Sequence, residues 1–427
     1  MKNVLWLCNN PTPDASAAFG WDIFAVGGWV VWLSKKMGQS KEYHLCLAFP
    51  SKNVKEVSKR DKEGISYYAI PNTVKNNWTY DSKYEDRFES LIDMVKPDVI
   101  HIWGTEYQHS LALVNACEKK GLLDNCIVSI QGLVSIYAKY YLGNLSDNEK
   151  QVRTLRDVIK RDTLRIQQRH FQERGKFEIE CIKKVKHVIG RTDWDKALTL
   201  QINPNIVYHY NNENLRDSFY QNSWSIDRCM PHRIFVSQAQ YPIKGLDVLL
   251  KALPEVIRCY PDTHVAIAGV KVVTDNIYKK TAYDEILSSY IDRNALGEHV
   301  EFIGMCDEKQ MVQEFLKANV FVCPSAIENS PNSVGEAMIL GTPVVASNVG
   351  GTNCLLEHNE EGFLYQADAD YMLAFYIKRL FASKDLALTF SEAARIHASK
   401  THNRETNYKV LLGIYDEIEN NDKRERT

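Results

Sequence analysis

Short apolar runs alternate with amphipathic stretches along the chain, which is the pattern of a parallel sheet whose strands are joined by helices. In the first half, apolar runs predict strands at Val4–Cys8, His44–Ala48, Ser66–Ile70, Val99–Trp103, Ile127–Ile130, His187–Gly190 and Ile206–Tyr208. Apolar residues at three- and four-position spacing predict helices between them, among them Gly28–Met37, Asp81–Met94 and Tyr107–Lys119. A second set of strands begins at Arg233–Ser237 and continues through His264–Ala268, His299–Ile303, Val320–Cys323 and Pro343–Ala346. The stretch between the sets, Asn211–Pro231, is rich in Asn, Ser and Asp, has no period, and reads as a linker. The last predicted helix, Glu405–Glu419, carries Tyr408, Leu411, Leu412 and Tyr415 on one face, which must be buried, and the charged tail Asn420–Thr427 reads as frayed.

A length of 427 residues suits two α/β domains of about 200 residues each. The expected division is a first domain 1–215, a linker 216–232, a second domain 233–402, and a helix and tail 403–427 that pack back on the first domain. One segment departs from the regular alternation. Lys139–Lys186 is helical in composition and holds 13 Lys or Arg against 7 Asp or Glu, a net of about +6. A solvated helical hairpin is the plain reading of this segment. The functional reading is a surface that touches an anionic membrane or a pyrophosphate-linked acceptor, since each basic residue near such a surface gains about 1 kcal/mol.

Over the whole chain the charge is balanced, with a formal net of -2, so nothing in the composition calls for a nucleic-acid partner. The apolar run at the N-terminus, Val4–Cys8, is too short for a secretory signal, and no stretch approaches the roughly 20 apolar residues of a membrane span. A cytoplasmic location, peripheral at most, is therefore expected. The ten cysteines are scattered, and several sit inside apolar strands, as reduced core thiols do.

Candidate chemistry concentrates between Phe321 and Ala346. Strand, tight loop, short helix, strand is the parse, with Gly341 ending the helix and Pro343 preventing its continuation. The loop then lies at the carboxyl end of a parallel strand, where open α/β sheets bind ligands, and the helix N-terminus offers amides to a phosphate. Glu336 can accept hydrogen bonds from the vicinal hydroxyls of a ribose, although Ser333-x-x-Glu336 also reads as a capping box. Glu328, eight positions earlier, has no helix to cap.

With Glu328, Glu336, Ala337-Met338, Gly341-Thr342-Pro343-Val344-Val345 and Gly350-Gly351, the second half resembles the retaining GT-B glycosyltransferases of family 4. The resemblance implies an α/β fold of GT-B type, two Rossmann-like doubly wound parallel-sheet domains facing a cleft. It implies transfer of a sugar from a UDP- or GDP-type nucleotide-sugar to a glycan or lipid-linked acceptor, with retention at the anomeric carbon and no other cofactor, in bacterial surface-polysaccharide assembly. Glu336 would hold the ribose. Glu328 would lie by the donor sugar and diphosphate, with the amides of Asn329, Ser330, Asn332 and Ser333 on the phosphates and Met305 also on the donor side; Pro331 has no N–H to give. Lys244, in Tyr241-Pro-Ile-Lys-Gly245, matches the basic residue that offsets charge on the leaving diphosphate, whereas Gln238 or Ala239 stands where an arginine is usual.

In the first domain, Gly27-Gly28-Trp29 resembles the family's glycine loop near the donor phosphates. Asp98-Val-Ile-His101 resembles a strand end lining the cleft, with Glu106 beyond it, although His101 also fits a satisfied core histidine. Gln131 stands where a histidine often faces the donor sugar and cannot act as a base. Asp193-Trp194-Asp195 and Asp368-Ala369-Asp370 sit at predicted helix starts, where Asp caps, so no metal site is assigned to them. A nucleotide-sugar epimerase of the same fold, or an inactive sugar-nucleotide binding subunit, would share most of these features.

Overall fold

The computed structural model describes the chain apart from residues 23–27, 271–272, 275 and 426–427, and apart from the side chains of Trp29 and residues 421–425. Two compact units emerge, the first formed by residues 1–136, 171–216 and 402–427, the second by 137–170 and 217–401.

The first unit is built on β1 (Lys2–Cys8), β2 (Tyr43–Ser51), β3 (Ser58–Lys62), β4 (Ile65–Pro71), β5 (Val99–Trp103), β6 (Cys126–Ser129), β7 (His187–Gly190) and β8 (Val207–Tyr210). They form one sheet in the order β3-β4-β2-β1-β5-β6-β7-β8, parallel except for β3 against β4. Helices cover both faces, so the inner strands are apolar at nearly every position; all five residues of β5 are buried. One face is closed by the helix Arg404–Glu425. Its Leu411, Ile414, Tyr415 and Ile418 lie in a core with Val4, Trp6, Tyr43 and Leu45. Trp6 Nε1 donates to the Tyr415 hydroxyl (2.9 Å), Tyr43 donates to Asp416 (2.8 Å), and Lys2 pairs with Glu419 (2.7 Å). This helix runs on to Glu425, past the point at which the charged tail was expected to fray.

The second unit contains β9 (Arg233–Val236), β10 (His264–Ala268), β11 (Val300–Gly304), β12 (Val320–Cys323), β13 (Val344–Ser347) and β14 (Phe363–Tyr365) in a wholly parallel sheet ordered β11-β10-β9-β12-β13-β14. The chain therefore winds outward from β9 in one direction, then returns to place β12 on its other side. That reversal between β9 and β12 is the switch point of a doubly wound sheet, where the carboxyl ends of the strands leave a crevice.

Two strands have no counterpart among the apolar runs. β3 reads Ser-Lys-Arg-Asp-Lys and sits at a sheet edge, where charge protects against unwanted pairing. β14 has three residues, too few for a run to register. The larger difference is residues 137–170, expected in the first domain, which fold with the second unit: Asn144 Nδ2 donates to the Ala367 carbonyl (3.0 Å), and the buried Asp157 accepts from the Ala282 amide (2.8 Å). Side-chain contacts far apart in sequence decide this placement, and local spacing does not carry them. Residues 217–221, inside the expected linker, form a short helical turn of the second unit, with Ser218 donating to Glu308 (2.5 Å).

Candidate active site

At the switch point of the second unit, the segments after β9 and β12 are pressed together. After β9 the chain makes a short turn, Pro242–Lys244, and enters the helix Leu246–Cys259 through Gly245. After β12 it runs through Pro324–Pro331 into the helix Asn332–Leu340, which ends at Gly341 in left-handed conformation. The Ala326 amide donates to the Ile243 carbonyl (2.7 Å), tying loop to turn. Two glycines make the fit. A Cβ on Gly245 (φ +67) would stand 1.9 Å from the Pro324 carbonyl oxygen, and one on Gly350 (φ +54) would stand 1.8 Å from the Glu328 carbonyl oxygen.

This clamp brings Lys244 and Glu328 into contact. Lys244 Nζ donates to Glu328 Oε1 at 2.7 Å, and the Ser325 hydroxyl donates to the same oxygen at 2.8 Å. Their side chains are 18% and 10% exposed, so the pair is largely withdrawn from water. Burial by itself would lower the Lys244 ammonium, but the adjacent carboxylate more than reverses this and holds it above the ordinary lysine range. Lys244 is thus a neutralised cation here, where the sequence alone suggests an open one.

The following helix has Pro331 as its N-cap and no side-chain capping bond, so the Ser333-x-x-Glu336 box is not formed. Among the described residues, the amides of Ser330, Asn332 and Ser333 make no hydrogen bond, and they lie at the positive end of the helix. Asn329 differs from its expected role: its amide donates to the Tyr137 hydroxyl at 3.1 Å. Tyr137 reads in sequence as one of several aromatic residues suited to stacking on an acceptor, and its contact with this loop is not legible there; burial beside Glu328 pushes its hydroxyl far above the ordinary tyrosine range. Glu336 is buried, Gln238 is exposed after β9, and Met305 is 71% exposed just beyond β11.

The remaining expected site residues belong to the first unit. Gly27 lies outside the described residues, and Gly28 opens the helix Gly28–Gly38, where a Cβ would meet the Arg216 side chain at 2.8 Å. His101 is no cleft residue. It is fully buried in β5, its Nδ1 2.6 Å from the Tyr415 hydroxyl and its Nε2 2.7 Å from the Ser129 hydroxyl, and burial pushes its pKa down to about 3. Glu106, just past β5, accepts from Asn9 Nδ2 (3.0 Å), with its carboxyl raised by burial. Gln131 follows β6, and its buried Nε2 has no hydrogen-bond partner among the described residues.

The first unit also holds a cavity of about 380 Å³ at the carboxyl ends of β1, β2, β4 and β5. It is lined by side-chain amides (Asn9, Asn10, Asn72, Asn76, Asn77, Gln108), by Trp78, Tyr84, Tyr107 and His109, and by Lys52 and Lys75. The legible trace of it was Asn76-Asn77-Trp78, a polar run ending in an aromatic residue just after a strand. Behind it, Glu178 is wholly buried and accepts from the amides of Val134 (2.7 Å) and Ser135 (2.9 Å), capping the helix Val134–Tyr140. Asp195, in the first Asp-x-Asp run, is a buried acceptor for the Arg191 amide and the Tyr208 hydroxyl; Asp368, in the second, accepts from Gln366.

Open helix-terminal amides at a switch point, beside a paired charge, are able to receive a phosphate. Residues 228–397 match the family described as Glycosyl transferases group 1. Two curated relatives share part of the chain. Spore coat protein SA of Bacillus subtilis is 27% identical over 181 residues, 41% of this chain and 46% of its own. The phosphatidyl-myo-inositol mannosyltransferase of Mycobacterium leprae is 32% identical over 142 residues, 33% and 34% respectively. The chain thus spans less than half the length of these relatives. Among solved structures, sucrose-phosphate synthase from Thermosynechococcus elongatus aligns over 98% of this chain and 99% of its own, with a TM-score of 0.72 and 17% identity. Anabaena HepE in complex with UDP and glucose aligns over 98% and 100%, with a TM-score of 0.68 and 14% identity. The fold is GT-B.

Proposed function

We propose that the protein is a retaining glycosyltransferase of family 4 that moves a sugar from a UDP- or GDP-type donor to a glycan or lipid-linked acceptor, without a metal ion, in surface-polysaccharide assembly. The observation that carries this reading is the Lys244–Glu328 pair held against the open amides of the helix Asn332–Leu340. HepE, a GT-B neighbour seen with UDP and glucose, and the mannosyltransferase relative support a nucleotide-sugar donor.

In this scheme the amides of Ser330, Asn332 and Ser333 hold the diphosphate, Glu336 receives the ribose hydroxyls, and Glu328 lies beside the donor sugar. The bond from the anomeric carbon to the diphosphate oxygen breaks as the acceptor hydroxyl attacks from the same face. The acceptor proton passes to a phosphate oxygen of the leaving group, so no side-chain base is required. Charge grows on the diphosphate as the bond breaks, and Lys244 answers it once its ammonium turns from Glu328. The amide- and aromatic-lined cavity of the first unit suits acceptor hydroxyls.

The test combines a donor screen with chelation. A donor at about 100 times its dissociation constant stabilises the protein by about 2.7 kcal/mol, readable as a thermal shift, and its nucleoside diphosphate is released on adding acceptor in excess EDTA. A protein that no UDP- or GDP-sugar stabilises is not this enzyme. One that converts the donor sugar without acceptor is an epimerase, and one whose activity returns only with magnesium or manganese is not metal-independent.

A further inference from the structure

The segment 137–170 is a firm scaffold within the second unit, anchored by Asn144 on Ala367, Asp157 on the Ala282 amide, and Glu149 on the Tyr290 hydroxyl. At its tip, the helix Leu155–Lys160 begins at the Thr154 cap and stops at Arg161 in left-handed conformation (φ +51). Asp157 turns inward, and the opposite face exposes Leu155, Val158 and Ile159 by 48%, 60% and 61%. Three aliphatic side chains on six residues, with no element of the chain covering them among the described residues, form an apolar point on an otherwise polar segment.

The charge around this point is one-sided. Arg153, Lys160, Arg161, Arg165 and Arg169 are all exposed and make no ion pair among the described residues. The two local carboxylates are engaged: Asp157 holds the Ala282 amide and Arg156, and Asp162 pairs with Arg156 at 2.6 Å. In a chain of net charge -2, five exposed cations between residues 153 and 169, flanking three bare aliphatic side chains in sequence, bring together both forces that hold a peripheral protein on a membrane.

We propose that the tip Leu155–Arg161 docks on an anionic lipid surface, its three aliphatic side chains entering the boundary between headgroups and acyl chains and its surrounding cations meeting the lipid phosphates. A protein partner fits less well. The exposed apolar residues of the patch are all aliphatic, with no aromatic anchor among the described residues, and the long flexible cations that flank it in sequence suit a fluid layer of phosphates better than a fixed epitope. Docking of this kind does not depend on sugar transfer.

The test uses the full chain with vesicles of equimolar phosphatidylglycerol and phosphatidylcholine, against phosphatidylcholine alone. Co-sedimentation with the anionic vesicles at low salt, lost at high salt and absent with phosphatidylcholine, is the expected result. Lys160→Gln with Arg165→Gln weakens binding about 25-fold, at about fivefold per cation. Leu155→Ser with Val158→Ser and Ile159→Ser weakens it on the order of 100-fold, at about fivefold for each half-exposed side chain. Because a variant can misfold, amide exchange on the unaltered protein is the second measurement, with slowing on vesicle addition confined to residues 153–165. Equal binding to neutral vesicles, indifference to both variants, or slowing elsewhere overturns the proposal. So does a concentration-dependent dimer that the triple serine variant abolishes, which assigns the patch to a second copy.

Discussion

The carboxyl ends of the two sheets are treated in opposite ways. In the second unit, charge is carried to the sheet edge: Lys244 follows β9, Glu328 follows β12, and two glycines force their backbones together. In the first unit, titratable groups near the corresponding edge are withdrawn into the core. His101 is enclosed between Tyr415 and Ser129, the buried Glu178 caps a helix from within the core, and the cavity that remains is lined mainly by amides and aromatic rings, with Lys52 and Lys75 among them. Under the proposed function, the edge of the second unit meets an ionic ligand whose charge changes during reaction, and the edge of the first meets acceptor hydroxyls, which need donors and acceptors in number.

Removing the cation tests the contrast most severely. Lys244→Ala is expected to lower turnover by about 100- to 1000-fold, about 2.7 to 4 kcal/mol, with a smaller change in the donor KM. It also strands Glu328 as a buried charge and lowers stability. Lys244→Met with Glu328→Gln separates the two effects: the melting temperature recovers and turnover does not. A Lys244→Ala enzyme with unchanged turnover would place the working cation elsewhere.

Acid should find the first unit before the second. Burial holds His101 and His109 down to about 3 and His187 down to about 4, against an unfolded value of about 6.5. Between those values the unfolded chain binds more protons, so stability is present near neutrality and lost as pH falls below about 6.5. Each histidine contributes a loss of about 2 kcal/mol by pH 5. Glu178, pushed up to about 7 by burial, has the opposite sign, since its protonated form favours the folded state as pH falls through 7. His209 is lowered by burial as well and Glu106 raised, so the histidines outnumber the carboxyls and the balance is a net loss of stability as pH falls to 5. Amide exchange at pH 7.5 and pH 5 should show faster opening in β1, β5 and β7 than in β9 and β12; equal acceleration in both sheets would erase the distinction.

Smaller effects sharpen it. Glu336→Ala should weaken nucleotide binding about tenfold, because one charged acceptor is lost, while stability falls less than it would if a helix cap were removed. A drop in melting temperature with unchanged nucleotide affinity would make Glu336 a structural residue. Tyr137→Phe leaves the Asn329 amide without its acceptor and should cost about 1 kcal/mol in urea denaturation. If the vacated amide then joins the phosphate site, donor affinity rises in the same variant; a fall in affinity would show that Tyr137 supports the loop in its binding shape.

What could be read beforehand follows the range of the interaction that decides it. Buried parallel strands declare themselves as apolar runs, and twelve of the fourteen strands among the described residues lie where runs predicted them. The charged edge β3 and the three-residue β14 leave no such trace. Glu328, Glu336 and the helix Asn332–Leu340 lie within one short stretch, so spacing was enough to single them out. The Lys244–Glu328 contact spans 84 positions and Tyr137–Asn329 spans 192. Those depend on the packed loop, and so does the finding that the Asn329 amide is already engaged. His101 fitted two readings in sequence, and the position of Tyr415, 314 residues later, decides for the core.

The closure of the first sheet by the helix Arg404–Glu425 imposes an order in time. Trp6 and Tyr415 are separated by 409 positions, and the core around β1 includes Leu411, Ile414 and Ile418. During synthesis at about 5–20 residues per second, β1 waits at least about 20 seconds for the residues of this helix that cover it. The second unit, whose last residue is Thr401, has all of its own chain available before that moment. The first unit is therefore begun before the second and completed after it, and its apolar β1 faces the hazards of the nascent chain for that whole interval.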